Sequence, residues 1–368
     1  MRIGLDVTPL ASPLTGIGTF VQRLSAAVAN DPDLTLRPIA LTGRSRITLN
    51  RQLPDNVAPV TRSFPARPLL EAWRRADLPT VGMLFGSVDL VHGTNFYCPP
   101  AGKGAPEVLS VHDTGPWLRP NEVDRTARLF PALAERAIAR GAHVHTLSVT
   151  AGKEIQALLG IDADHLHPIP LAVDPVPAVE LSGRWLTKVG DRPFVLAIGT
   201  VEPRKQFPEL VRACSALFAE ISNLQVVIAG GPGPDSARLA AAVEELGEWS
   251  DRIHLAGFVS RNERHALLRA ASVVVSAAKT EGFGMVPLEA MAAGTPVIAT
   301  NSGAQPEICG DAAALVPVGD WDALTIAIGE VLGGDNFALI DAGRRQAARF
   351  TWKRTTDSIL ALYRELLS

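Results

Sequence analysis

Short apolar runs alternate with longer amphipathic stretches from one end of the chain to the other. That alternation predicts parallel sheet layered with helices, an α/β architecture. In the first half the apolar runs predict strands at Ile3–Val7, Thr35–Leu41, Val88–His92, Val108–Val111, Val144–Ser148 and Leu166–Leu171. Helical periodicity marks Thr19–Ala29, Glu122–Arg140 and Ala151–Leu159. Pro131 should kink or divide the second of these, while Thr150 and Gly160 suit the start and stop of the third. Between Val173 and Arg192 the pattern lapses into DPVPAVELSGRWLTKVGDR, rich in Pro, Gly and charge, which marks a domain boundary.

The second half restarts the same grammar. Strands are expected at Phe194–Ile198, Gln225–Ala229, Ile253–Ala256, Val273–Ser276 and Ala313–Val318, with a further one in TPVIAT. Helices are expected at Glu209–Ile221, Ala237–Leu246, Asn262–Ala270, Trp321–Leu332, Phe337–Arg349 and, after the N-cap Thr351, Trp352–Leu367. The expected domains are residues 1–174 and 191–350, with 351–368 as a closing helix. Two doubly wound, Rossmann-like halves imply an interdomain cleft, with ligands beyond the carboxyl ends of the strands.

Composition narrows the class of function. The 368 residues are 47% hydrophobic and 20% charged, as in an ordered globular protein. A net charge of −3 argues against a general nucleic-acid partner. Cys98, Cys214 and Cys309 are far apart and lack metal-ligand spacing, so buried reduced thiols in a cytoplasmic protein are expected. No signal-peptide h-region or long apolar span is evident. The segment 34–76 carries Arg37, Arg44, Arg46, Arg51, Arg62, Arg67, Arg74 and Arg75 against only Asp55 and Glu71. With Leu69, Leu70 and Trp73 interleaved, it suits either a solvated face or peripheral contact with an anionic inner membrane face.

The most informative stretch is KTEGFGMVPLEAMAAGTPVIAT, residues 279–300, which reads as loop, helix, tight turn and strand. Gly282 and Gly284 let the backbone approach a ligand, and Pro287 suits the first helical position. A helix N-terminus rising from such a loop favours an anion. Glu281 on the rim and Glu289 in the expected first turn could accept from vicinal hydroxyls. A ligand with both phosphates and hydroxyls, such as a nucleotide sugar, reconciles the two. A surface loop whose glutamates merely complement the helix dipole is the alternative.

Other candidates lie at predicted strand ends. His112 and Asp113 follow Val108–Val111: His112 could donate to a phosphate or sugar hydroxyl, and Asp113 could accept from a hydroxyl or orient the ring; a structural His–Asp pair is the alternative. His92 and Asn95 get weaker readings as cleft lining, as does the glycine turn GGPGPDS. Arg204 and Lys205, in GTVEPRKQF, suit a diphosphate as fork and point charge; surface ion pairing is the alternative. Gly16 and Gly18 precede an expected helix, but the loop is too long for a dinucleotide fingerprint and lacks its third glycine.

Together these stretches resemble glycosyltransferase family 4, retaining enzymes of the GT-B fold, and in particular bacterial mannosyltransferases of surface-polysaccharide assembly. The resemblance runs through TGIGTF, HGTNFYCPP, VHDTGPWLRP, HTLSVTAGKEI, GTVEPRKQ, EGFGMVPLEAMAAGTPVIAT and FTWKRTTDSILALYREL. It implies that Glu281 holds donor-sugar hydroxyls and Glu289 the ribose, while Arg204 and Lys205 hold the diphosphate. The amides around Phe283, Gly284 and Met285 would meet phosphate and sugar. His112 would sit beside the transferring sugar, and Gly16 and Gly18 would let the first loop approach the donor phosphates. It further implies that the closing helix crosses back onto the first domain, with hinges near 174–190 and 350. Two departures stand out: Gln206 occupies a position that is often Asn, and Ala277–Ala278 replace a usual Pro–Ser pair.

The implied reaction moves a hexose, mannose favoured, from a nucleoside-diphosphate sugar (GDP-mannose or a UDP-sugar) to a glycan or lipid-linked acceptor. No carboxylate metal cage or nucleophile is evident, so no obligatory metal or cofactor is expected. Front-face transfer then follows, with the departing phosphate taking the acceptor proton. A nucleotide-sugar epimerase of the same fold, a nicotinamide oxidoreductase and a non-catalytic nucleotide-sugar sensor are the alternatives.

Overall fold

The computed structural model describes residues 1–11, 16–42, 46–57, 60, 64–121, 123 and 125–368. Thr15 of TGIGTF, Arg44 and Arg62 of the basic segment, and Glu122, the expected start of a helix, lie outside the described residues. The chain divides into two compact units, Met1–Leu171 with Trp352–Ser368, and Ala172–Thr351. The Pro- and Gly-rich stretch after residue 171 thus goes with the second unit and carries a short helix, Arg184–Lys188, anchored by the buried Trp185.

The first unit is built on six parallel strands: β1 (Arg2–Asp6), β2 (Thr35–Ile39), β3 (Leu90–Gly93), β4 (Glu107–Val111), β5 (His143–Thr146) and β6 (Leu166–Pro168). Their order across the sheet is β2-β1-β3-β4-β5-β6. Helices Gly16–Asn30, Phe130–Ala139 and Val149–Leu159 flank it, and the closing helix Trp352–Leu367 packs on the first of them.

Several boundaries differ from the sequence expectation. Pro131 does not kink a long helix; it occupies the first turn of Phe130–Ala139, where its missing N–H is one of the unpaired donors. The cap of the next helix is Ser148, whose hydroxyl accepts from Ala151 N at 3.0 Å, rather than Thr150. Gly160 closes that helix in a left-handed conformation, φ 65°, as expected. The basic segment contains an unexpected helix, Ala66–Arg75, which buries Leu70 and Trp73 and leaves Arg67, Arg74 and Arg75 exposed.

The second unit repeats the plan with β7 (Phe194–Ile198), β8 (Gln225–Ala229), β9 (Ile253–Gly257), β10 (Val273–Ser276), β11 (Val297–Thr300) and β12 (Ala314–Val316). The parallel order is β12-β11-β10-β7-β8-β9. Every residue of β7, β8, β10 and β11 is buried, as helices on both faces require, which is why these strands read as continuous apolar runs. The order reverses between β7 and β10. At such a switch point the loops after two neighbouring strands leave in opposite directions and open a crevice at their carboxyl ends.

All three cysteines are buried and unpaired. Among the described residues no single helix is long and apolar enough to cross a membrane.

Candidate functional site

The switch point of the second sheet is where the charged residues converge. Arg204 and Lys205 sit in a short 3₁₀ turn, Pro203–Lys205, after β7; Glu281 follows β10. Lys205 Nζ donates to Glu281 Oε2 at 2.6 Å, and Arg204 Nη1 donates to the same oxygen at 3.0 Å. Burial acts to raise the Glu281 carboxyl, but the charges of Lys205 and Arg204 and their hydrogen bonds outweigh it and hold the group below the usual carboxylate range. Arg204 Nε also donates to Glu202 Oε2 at 2.8 Å, which fixes the guanidinium from a second side. Glu281 Oε1 has no hydrogen-bond partner among the described residues. Backbone bonds lock the loops together: Lys279 N to Arg204 O and Ala304 N to Glu281 O, both 2.8 Å. Gly303 is required there, since it has φ 54° and a Cβ would lie 2.6 Å from Glu281 O.

Gln206, at the departure noted above, has φ 54°, a left-handed conformation that Asn tolerates better. The residue is 6% exposed, and its Oε1 has no hydrogen-bond partner among the described residues.

The helix after Glu281 begins earlier than expected. It spans Met285–Ala293, entered through Gly284 at φ 108° and left through Gly294 at φ 80°. Pro287 is therefore its third residue, still in the turn where N–H groups lack helical partners, and Glu289 is its fifth, beyond the first turn. Phe283 is buried edge-on against Phe350, with ring centroids 5.9 Å apart. Glu289 does not join the Arg204–Lys205–Glu281 cluster. Its Oε2 accepts from Arg264 Nε at 3.0 Å and also from Arg264 Nη2. Nothing local in the sequence points to Arg264, because the contact is made between two helices.

In the first unit, His112 follows β4 and is 5% exposed. Its Nε2 lies 3.0 Å from Thr94 O, an acceptor only, so Nε2 carries the proton and donates. Burial pushes the ring down to about 4, so it is neutral at pH 7 and Nδ1 is an acceptor, without a partner among the described residues. The expectation that Asp113 orients this ring is corrected. Asp113 Oδ1 accepts from Gly115 N at 2.6 Å and caps the turn that follows. Gly16 and Gly18 are also relocated, from a loop into the first and third positions of helix Gly16–Asn30. Asp6, at the end of β1, went unremarked in the sequence. It is fully buried beside the Tyr97 hydroxyl, and its Oδ1 accepts from Thr8 N and Oγ1.

His92 is not cleft lining. It belongs to a buried chain that crosses the sheet: Tyr363 Oη to His92 Nδ1 at 2.5 Å, His92 Nε2 to Ser110 Oγ at 2.8 Å, Ser110 Oγ to His145 Nδ1 at 2.8 Å, and His145 Nε2 to Ile169 O at 3.0 Å. The terminal carbonyl can only accept, so His145 Nε2 donates to it, and each earlier link is fixed in turn. The protons point one way, from Tyr363 to Ile169. Among the described residues no group of three or more His, Cys, Asp or Glu side chains converges as a metal cage would require.

Residues 14–176 match the family described as Glycosyltransferase Family 4, and residues 184–345 match Glycosyl transferases group 1. The chain is 31% identical to the MMP alpha-(1->4)-mannosyltransferase of Mycolicibacterium hassiacum over 77% of its own length and 72% of that protein's. It is 28% identical to O-antigen chain mannosyltransferase B of Escherichia coli over the full length of both. Its fold is shared with Anabaena HepE, solved in complex with UDP, at TM-score 0.69 and 18% identity, covering 98% of each chain.

Proposed function

The chain belongs to glycosyltransferase family 4, with the GT-B fold, and from that premise we propose that it transfers a hexose, mannose foremost, from a nucleoside-diphosphate sugar to a glycan or lipid-linked acceptor with retention at the anomeric carbon. The observation that carries this reading is the convergence of Arg204, Lys205 and Glu281 at the switch point of the second sheet. Mannose is favoured because two of the relatives are named mannosyltransferases.

Breaking the bond from anomeric carbon to diphosphate builds negative charge on the leaving phosphate. Arg204 and Lys205, already held by Glu202 and Glu281, are positioned to meet that charge without reorganising. The first-turn amides of helix Met285–Ala293 add further donors. Glu281 Oε1 accepts from a sugar hydroxyl, and Glu289 from the ribose. His112 Nδ1, a neutral acceptor, takes a hydrogen bond from a hydroxyl of the transferring sugar. Asp113 keeps its second oxygen for a hydroxyl, and Gly16 and Gly18 let the first turn of their helix approach the donor phosphates. The acceptor oxygen bonds to the anomeric carbon on the face the phosphate leaves, and its proton passes to that phosphate. The exposed arginines of helix Ala66–Arg75 suit an anionic membrane surface carrying a lipid-linked acceptor.

Thermal melts with GDP-mannose, UDP-glucose, UDP-GlcNAc and ADP-glucose test the donor. One of them should raise the melting temperature by mass action, by about 2.7 kcal/mol of added stability at a hundredfold excess over Kd. No shift with any of the four, and no nucleoside diphosphate released in the presence of lipid-linked or glycan acceptors, would reject the assignment.

A further inference from the structure

Glu281 and Glu289 share an arrangement: each gives one carboxylate oxygen to basic side chains, and Oε1 of each has no hydrogen-bond partner among the described residues. For Glu289 the base is Arg264, whose Nε and Nη2 both go to Oε2. Both side chains are about three-quarters covered, at 28% and 21% exposure, so the pair is screened less than a surface one. Its place in the fold is equally specific. Arg264 is the fourth residue of helix Arg261–Ala270, which follows β9, and Glu289 the fifth of Met285–Ala293, which follows β10. Side chains on a helix lean toward its N-terminus, so Glu289 leans back toward the carboxyl end of β10, which Glu281 follows, and Arg264 toward that of β9.

We propose that Arg264 is a positioning residue: by taking Oε2 with two N–H groups it fixes the Glu289 carboxylate and presents Oε1 to the vicinal hydroxyls of the donor's ribose, making the enzyme selective for ribonucleotides. This rests on the transferase reading above. A carboxylate on a flexible stem would otherwise sample several rotamers, and the cost of ordering it would fall on ligand binding. Arg264 meets that cost before the ligand arrives.

Calorimetric titration with GDP, UDP and ADP, each beside its 2′,3′-dideoxy counterpart, tests the assignment. For whichever base binds, the wild-type enzyme should prefer the ribonucleotide by roughly 10- to 100-fold, the value of a hydrogen bond to a charged group. In Arg264→Leu the preference should drop to about threefold or less, because the carboxylate is no longer ordered in advance. Glu289→Gln should lose most of it as well.

A tie between two helices would lower the melting temperature in both variants and leave the ribose preference intact; that result overturns the proposal. A wild-type protein that binds the two sugars equally overturns it too, but leaves the transferase reading standing. If no nucleoside diphosphate binds, the donor reading itself fails and this assignment with it. Should Arg264→Leu not fold, Arg264→Lys replaces the two-pronged contact by a point charge; a full wild-type preference there overturns the role.

Discussion

Two cations on one carboxylate oxygen make a stiff arrangement, and stiffness is what charge stabilisation in a transition state requires. Arg204 is gripped twice, through Nε by Glu202 and through Nη1 by Glu281. Arg204→Ala is expected to lower turnover by about 10²–10³, the usual effect of deleting one preorganised donor. Steady-state rates with the best donor check this, and a rate within about threefold of wild type would remove Arg204 from the reaction. At this scale the sequence was informative where a residue type stands at a fixed place after a strand: Arg204, Lys205 and Glu281 meet as their positions suggested. It was silent where a side chain acts through a partner distant in sequence. Arg264 looked like any charged residue on an amphipathic helix, and adjacency in the chain wrongly suggested a bond between His112 and Asp113. Asp113 instead accepts from the amide of Gly115, two residues on, as an Asp side chain does when it forms a turn with its own backbone.

Among the elements, the buried strands were legible because both their faces are covered and their composition is almost wholly apolar. Helix ends were less so, since caps depend on which hydroxyl reaches a free N–H, and Ser148 rather than Thr150 does. The helix Ala66–Arg75 was hidden by its arginines, although Leu70 and Trp73 lie on its buried side. The closing helix shows how an element is held by more than its apolar stripe. Tyr363 is its only contribution to the directional chain through His92, Ser110 and His145, and all four side chains are fully buried. Tyr363→Phe keeps the ring and removes the first donor, leaving His92 Nδ1 a buried acceptor with no partner. The expected loss is about 1–3 kcal/mol in urea unfolding. A midpoint unchanged from wild type would show that the chain adds nothing to stability.

For the molecule as a whole, the alternation of runs sufficed for class and for two parallel sheets. Strand order did not follow from it, because the order depends on where each crossover carries the chain next, and a run of Val and Ile carries no such record. The buried histidines set a property of the entire protein. Burial holds His112 and His145 at about 4 and His92 well below its ordinary value. An unfolded chain binds protons at these rings from about pH 6.5 downward while the native protein does not, so the stability they confer is complete above that pH and is lost as pH falls toward 4. Asp6, raised by burial, acts in the opposite sense, since its native carboxyl holds a proton at pH values where the unfolded one has lost it. Urea midpoints should fall between pH 6.5 and 5, and a flat profile across that window would contradict the neutral assignment. One further consequence follows from the first unit being made of two stretches, Met1–Leu171 and Trp352–Ser368. A ribosome must release residues 172–351 before Tyr363 emerges, a wait of roughly 10–40 s at ordinary rates of synthesis. Throughout that delay the nascent N-terminal sheet holds His92 without its hydroxyl donor, so translation speed and chaperone attendance bear on whether it survives until the last turn of the chain arrives.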